Sequence, residues 1–268
     1  MNELSNILEA IGEVGRRLAD IEASEGAAGN ISILLEKDQP FESIFTERQP
    51  YELPVPCPDL AGRVVVASGS GQRLRELGAN VSANFACVCV GEDGISSTMY
   101  YSAGRTFKAP TSEFNTHLQL HHDFVNGQGQ GIHTVVHAQP LYMTYLSHIP
   151  DYQNEDYLNR KLLRWQPECI VNLPEGIGVL PFILPGSEEL MIATAAKMRT
   201  QQLVLWSKHG VIARSAASVK KASDLIEYVE TAAKYEYLNL TNSGQAEGLT
   251  DAEVRLVAKA YGIQQTIF

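Results

Sequence analysis

A chain of 268 residues, 44% of them hydrophobic, is long enough to bury a substantial core. Its 31 acidic and 21 basic side chains give a formal net charge of -10, and the Lys and Arg residues are scattered rather than gathered into a stripe, which argues against a nucleic-acid partner. No apolar run approaches the roughly 18 residues of a membrane span, Met1 to Glu9 carries acids where a signal peptide carries bases, and Cys57, Cys87, Cys89 and Cys169 lack CxxC spacing, so a cytoplasmic protein with reduced thiols and no membrane partner is expected.

Leu4, Ile7, Leu8, Ile11, Val14, Leu18 and Ile21 recur at helical spacing and predict an amphipathic opening helix that ends before Gly26 to Gly29. Ile31 to Leu35 reads as a strand, and residues 36 to 60, rich in Pro, Glu and Asp without a period, as a surface excursion. Arg63 to Ala67, Phe85 to Val90 and Thr98 to Ala103 are further strands, with Cys87 and Cys89 on one face. A helix from Ser112 to about Asn126 precedes a strand from Ile132 to His137 and helical stretches through Tyr142 and Leu162. Cys169 to Leu173 and Leu203 to Trp206 read as short core strands flanking a Ser187 to Arg199 helix. The last third is mainly helical: Val219, Ala222, Leu225, Ile226 and Val229 share a face, and Thr250 with Glu253 forms a capping box. The alternation, without internal repeats, predicts a single α/β domain over residues 1–268.

Chemistry concentrates in Pro110-Thr111-Ser112-Glu113, in Val135-Val136-His137-Ala138-Gln139-Pro140, and in Lys208-His209-Gly210. A carboxylate base beside a cation held by neutral imidazoles is the combination that stabilises an enediolate formed next to a carbonyl. Taken singly, a His at a strand end is more often a hydrogen-bonded structural residue, and an isolated Glu a solvated one. His117 and His121 stand at i and i+4 on the helix after Glu113, a spacing that can hold a metal; with no third ligand evident on that helix, a structural role is expected.

Taken in order, Gly29-Asn30-Ile31, Ser68-Gly69-Ser70-Gly71, Ala109 to Glu113, Glu168 to Val171, Gly176 to Pro181, and Leu203 to Trp206 with His209-Gly210-Val211 resemble the class II aldolase/adducin family over nearly the whole length, and within it the bacterial rhamnulose-1-phosphate aldolases. The resemblance implies a three-layer α/β/α domain around a central mixed, largely antiparallel sheet. It implies reversible, metal-dependent cleavage of L-rhamnulose 1-phosphate to dihydroxyacetone phosphate and L-lactaldehyde. Glu113 would be the base, Zn2+ would sit on His137, His209 and the residue at 139, and Glu168 would reach the substrate near a subunit boundary of a homotetramer. Asn30, Ser70, Gly71, Thr111 and Ser112 would line the phosphate pocket, where backbone N–H groups and hydroxyls can hold a dianion.

Two positions depart from the pattern. Family members carry His-x-His on the strand, and here the second position is Gln139, whose amide oxygen is a weaker, neutral donor on the same strand face. A weakened zinc site is expected, with a site for a harder cation such as manganese or magnesium, or none, as alternatives. His133 cannot substitute, because four residues of strand span roughly 13 Å. Ala27 replaces the first Asn of an Asn-Gly-Gly-Asn stretch, which removes a donor near the phosphate. The remaining readings are an aldolase for another ketose 1-phosphate, such as L-fuculose 1-phosphate, and a non-catalytic adducin-like binding module.

Overall fold

A computed structural model describes residues 3–36 and 39–268; Met1 and Asn2 of the acidic N-terminus and Lys37 and Asp38 of the 36–60 excursion lie outside them. The elements follow as α1 (Glu3–Asp20), β1 (Asn30–Leu34), β2 (Glu47–Glu52), β3 (Val64–Ser68), α2 (Val81–Asn84), β4 (Phe85–Val90), β5 (Ser96–Tyr101), α3 (Phe114–Asn126) and β6 (His133–Ala138). Then come α4 (Leu141–Leu146), α5 (Glu155–Leu162), α6 (Pro167–Asn172), β7 (Gly178–Leu180), α7 (Glu188–Met198), β8 (Leu203–Trp206), β9 (Gly210–Ser215), α8 (Val219–Thr241) and α9 (Asp251–Tyr261). The strands form one sheet in the order β2-β5-β4-β3-β1-β6-β9-β8-β7. Its pairs are antiparallel except β7 with β8.

Strand alternation sorts the side chains into two buried layers. Ile31 and Ile33 of β1 and Val136 and Ala138 of β6 meet the apolar stripe of α1, together with α8 and the short helices before β7. On the other face Leu34, Val65 and Val88 pack on Phe114 and Leu118 of α3, and Val135, Val204 and Ile212 pack on Leu120 and α7. The mixed sheet therefore lies between two helical layers, as expected. The polar residues of β1, Asn30 and Ser32, share the α3 face, and so do His133 and His137 of β6.

The opening helix, the Thr250–Glu253 capping box and the shared face of Cys87 and Cys89 form as the sequence predicts. Cys169 to Leu173 does not form a strand. It lies in α6 and its C-cap, because Pro167 at the start of the helix pre-sets a helical φ, and a short buried apolar run carries no periodicity that separates helix from strand. The 36–60 excursion contains an edge strand, β2, where Pro50 is tolerated because only β5 pairs with it. Strands β7 and β9, not anticipated, complete the sheet.

Helix α8 anchors the segment that follows β6. Both oxygens of Glu230, 5% exposed, accept backbone N–H groups from α4, at 2.9 Å from Tyr142 and 2.9 Å from Met143. Burial pushes this carboxyl from 4.5 up to about 7, against the two N–H donors and Lys234, which lower it. The folded state thus binds this proton more tightly than the unfolded chain, so the group's contribution to stability is complete below about pH 4.5 and is lost as pH rises through about 7. Urea denaturation across this range should show the wild type losing about 2 to 3 kcal/mol relative to Glu230→Gln as pH rises from about 5 to about 8. A constant difference between the two proteins would contradict the assignment.

Candidate metal centre

Three elements deliver the chemistry-bearing side chains to one point on the α3 face. His137 is near the C-terminal end of β6, paired with Asn30 of β1 on one side and Ile212 of β9 on the other. His209 sits in the tight β8–β9 turn, which Trp206 and Gly210 close. Lys208 in that turn takes a φ of 64°, and its backbone N–H donates to Ser147 Oγ at 2.7 Å, so the turn is held from α4's C-terminus. Glu113 is the residue before α3, with φ -99° and ψ 16°, and enters from the helix side.

Glu113 is 4% exposed and His137 1% exposed, so the group is withdrawn from water. Asn30 Nδ2 donates to Glu113 Oε2 at 2.8 Å. The two carboxylate oxygens face separate rings: Oε2 lies 3.6 Å from His137 Nε2 and Oε1 3.5 Å from His209 Nε2. Donor atoms of these three residues all fall within 4.8 Å of one another. Those separations are long for hydrogen bonds, yet two ligands on a tetrahedral zinc ion lie about 3.4 Å apart.

Tautomer and charge agree with that fit. His137 Nδ1 lies 2.8 Å from the carbonyl oxygen of Val211, which can only accept, so Nδ1 carries a hydrogen and Nε2 is the nitrogen turned toward Glu113. Burial, then the neighbouring His137, lowers His209 to about 4. Burial opposes ionisation of Glu113, but His137, the Asn30 amide and His209 outweigh it and hold the carboxyl below its ordinary value. A carboxylate and two imidazoles converge, a set suited to a divalent cation. Trp206 walls the group, its ring 4.8 Å from that of His137 and 5.2 Å from that of His209.

The expected phosphate residues assemble next to Glu113. Ser70 N–H donates to Ala109 at 2.9 Å and Thr111 N–H to Ser68 at 2.9 Å, with Gly69 bridging to Pro110. Gly69 is required there, since a Cβ would lie 2.1 Å from the Phe107 ring. Ser70, Gly71 and Ser112 are exposed while Thr111 is buried, so the two loops present one polar rim. Gln139 is half-buried, and its backbone N–H donates to Ala23 at 2.8 Å. A Cβ on Gly210 would sit 3.0 Å from Gln139 Cγ and 3.1 Å from His137 Cε1, which puts the stem of Gln139 beside the metal ligand. The Gln139 side chain also lines an open cavity of about 620 Å³ with Glu25, Tyr145 and His148. Glu168 is not part of this group: it is exposed on α6, whose Cys169 and Ile170 pack into the core on the opposite face of the sheet. The Val211 carbonyl and the Trp206 wall escaped the sequence reading; a backbone acceptor has no residue signature.

The family profile described as Class II Aldolase and Adducin N-terminal domain matches residues 9–237. A rhamnulose-1-phosphate aldolase of Enterobacter sp. (strain 638) is 29% identical over 243 residues, 89% of this chain and 87% of that one. One from Klebsiella pneumoniae is 29% identical over 244 residues, 90% of this chain and 87% of its own. Among solved structures, a sugar-phosphate aldolase from Thermotoga maritima superposes with a TM-score of 0.77 at 30% identity, covering 92% of this chain and 99% of the other. An L-fuculose-1-phosphate aldolase from Thermus thermophilus shares the fold, with a TM-score of 0.58 at 17% identity over 91% of this chain and 100% of that one.

Calorimetric titration of chelator-treated protein with Zn2+ should give about one ion per chain and a loss of affinity in His137→Ala and His209→Ala. Binding of equal strength in both variants would move the site elsewhere.

Proposed function

The chain belongs to the class II aldolase and adducin family, and from that premise we propose that it is a metal-dependent aldolase cleaving L-rhamnulose 1-phosphate to dihydroxyacetone phosphate and L-lactaldehyde. The carrying observation is the buried Glu113 carboxylate, 3.6 Å from one imidazole and 3.5 Å from another, at the edge of the Ser70–Thr111 rim. His137 and His209, with Gln139 as an additional weak oxygen donor, would hold the cation, zinc by preference, with Glu113 beside it as the base. Once bound, the cation supplies Lewis-acid polarisation of the substrate carbonyl.

Glu113 serves as the base. In the synthetic direction it takes a proton from the carbon beside the ketone, and that proton passes to the alkoxide formed on the aldehyde; in cleavage the hydroxyl proton passes to Glu113 as the carbon–carbon bond breaks, and Glu113 returns it to the carbon of the resulting enediolate. Asn30 steadies this role by holding Oε2 through its amide N–H. The Ser70 and Gly71 turn, with Thr111 and Ser112, would bind the phosphate dianion through hydroxyls and backbone N–H groups. A buried, water-poor base strengthens each of these contacts. Glu168, far from Glu113 within one chain, would act on a neighbouring copy's site in a homotetramer, in the cytoplasm.

Gln139 favours one competing reading, a sugar-phosphate-binding module without turnover. Retro-aldol assays with L-rhamnulose 1-phosphate and L-fuculose 1-phosphate side by side separate the alternatives, run as isolated, after chelation and after metal readdition. Turnover with the first substrate that chelation abolishes is the expected result; no turnover with either would overturn the proposal. Glu113→Gln should lower kcat by about 10² to 10⁴-fold while a cation still binds. Gln139→His should raise metal affinity and activity together, and an unchanged or lower value would refute the account of that position.

A further inference from the structure

The two imidazoles of the site are oriented by different means. His137 is fixed at its ring, through Nδ1 against the Val211 carbonyl at 2.8 Å, and along its backbone by strand pairing on both sides. His209 has neither support. It stands in the loop inside the Trp206–Gly210 pair that ends the β8–β9 ladder, and its Nδ1 is buried without a protein partner. A metal-binding imidazole is ordinarily steered by a hydrogen bond to its second nitrogen. The His209 ring instead stacks on Trp206 at 5.2 Å and 22°, and the indole is tied to Thr194 Oγ1 at 2.9 Å. Stacking fixes the plane of a ring but not its position within that plane, so the backbone of the turn has to place His209.

Three backbone N–H groups settle that turn. Ser207 N–H donates to the Leu180 carbonyl at 3.0 Å, and His209 N–H closes the turn on the Trp206 carbonyl at 3.0 Å. Between them Lys208 occupies the third position of the turn with φ 64°, a place where Gly or Asn is usual because a larger side chain crowds its own backbone. Its N–H goes to a side chain, Ser147 Oγ, at 2.7 Å. Ser147 is 0% exposed, and its hydroxyl hydrogen is committed to the Thr144 carbonyl at 2.6 Å, which leaves the oxygen as an acceptor aimed at the turn. Gln153 Nε2 donates to the Ser147 carbonyl at 2.9 Å and holds this residue from behind. Helix α4 thereby joins the two histidine-bearing segments: it continues the chain from β6, its first turn is held by Glu230, and Ser147 at its C-terminal end holds Lys208. On the opposite flank a Cβ on Gly210 would lie 2.4 Å from the Ala138 carbonyl, so β6 confines the turn there. Lys208 is the corner left to deform.

We infer that Ser147 is a positioning residue for the cation site: by accepting the Lys208 N–H it keeps the β8–β9 turn in its left-handed corner and so sets where His209 Nε2 stands opposite Glu113 and His137. Ser147 touches neither cation nor substrate and acts through the turn. The clamp is independent of what the site binds, whereas its effect on a cation rests on the reading of His209 as a ligand. Loss of the hydroxyl leaves the Lys208 N–H without its partner and releases a φ that a lysine resists.

Calorimetric titration of chelator-treated, full-length protein with Zn2+ tests the role. Ser147→Ala should bind about 10- to 100-fold more weakly than the wild type, the range for loss of a group that orients a metal ligand. Cobalt bound in place of zinc should show an altered visible ligand-field spectrum in the same variant. In a Lys208→Gly background the Ser147→Ala change should cost less, because Gly takes a positive φ without the Cβ clash. A folded Ser147→Ala protein with wild-type zinc affinity, or an equal loss in both backgrounds, overturns the inference. Should Ser147→Ala not fold, amide hydrogen exchange of the unmodified, metal-free protein decides: Lys208 N–H should be protected, and exchange at the rate of an exposed loop amide would overturn the clamp. A wild type that takes up no Zn2+ while Lys208 stays protected would overturn the cation reading and the positioning role with it. Zinc binding without aldolase turnover would count against the proposed reaction alone.

Discussion

The antiparallel register of β1 with β6, which sets Asn30 opposite His137 and Leu34 opposite His133, decides what can meet on the α3 face. Side chains alternate along a strand, so a slip of one residue would send Asn30, Ser32, His133 and His137 into the apolar layer against α1 and α8 and bring Ile31, Ile33 and Val136 up beneath Glu113. Burying those four polar groups in an oil-like layer without their partners would cost several kcal/mol. The hydrophobic residues on alternate positions therefore specify the site as firmly as its own ligands do. The same two strands carry His137 at one end of their pairing and His133 at the other.

Charge is used sparingly within this face. A chain with net charge -10 places one anion, Glu113, among buried histidines, and lets backbone carbonyls and amide dipoles do the remaining orientation. With a single carboxylate, the group would leave a divalent cation net positive. A second acid beside the cation would reduce that charge. His209 and His117 are lowered for the same reason, desolvation disfavouring the imidazolium more strongly than Glu113 favours it, whereas at His133 desolvation and Arg214 act in the same direction.

Much of this was legible in the amino-acid order. The stripe of Leu4, Leu8, Ile11, Val14 and Leu18 fixes α1, and ordered motifs single out Glu113, His137 and His209, which the fold gathers from a helix end, a strand and a turn. What escaped has identifiable causes. The Cys169 to Leu173 run is short, apolar and buried, so period cannot separate helix from strand, and the Pro167 signal just upstream outweighs it. Strand β2 hides in a Pro- and Glu-rich stretch because an edge strand has one pairing side and needs little hydrophobicity. Ser32 reads as an ordinary strand residue and His133 as a ligand too distant to help. Their link to His117 and His121 spans 85 and 89 residues from Ser32, a separation at which local pattern carries no information.

The wide spacing of Glu113, His137 and His209, on α3, β6 and the β8–β9 turn, has a consequence for assembly of the molecule. The full set needs a fragment running from Glu113 to His209, and the shorter stretch of α3 and β6 brings only Glu113 and His137, so a nascent or unravelled chain offers a weaker foothold than the closed sheet. Were this group to take a cation, capture would follow closure of the β8–β9 turn and would stabilise the finished topology by binding the folded state alone.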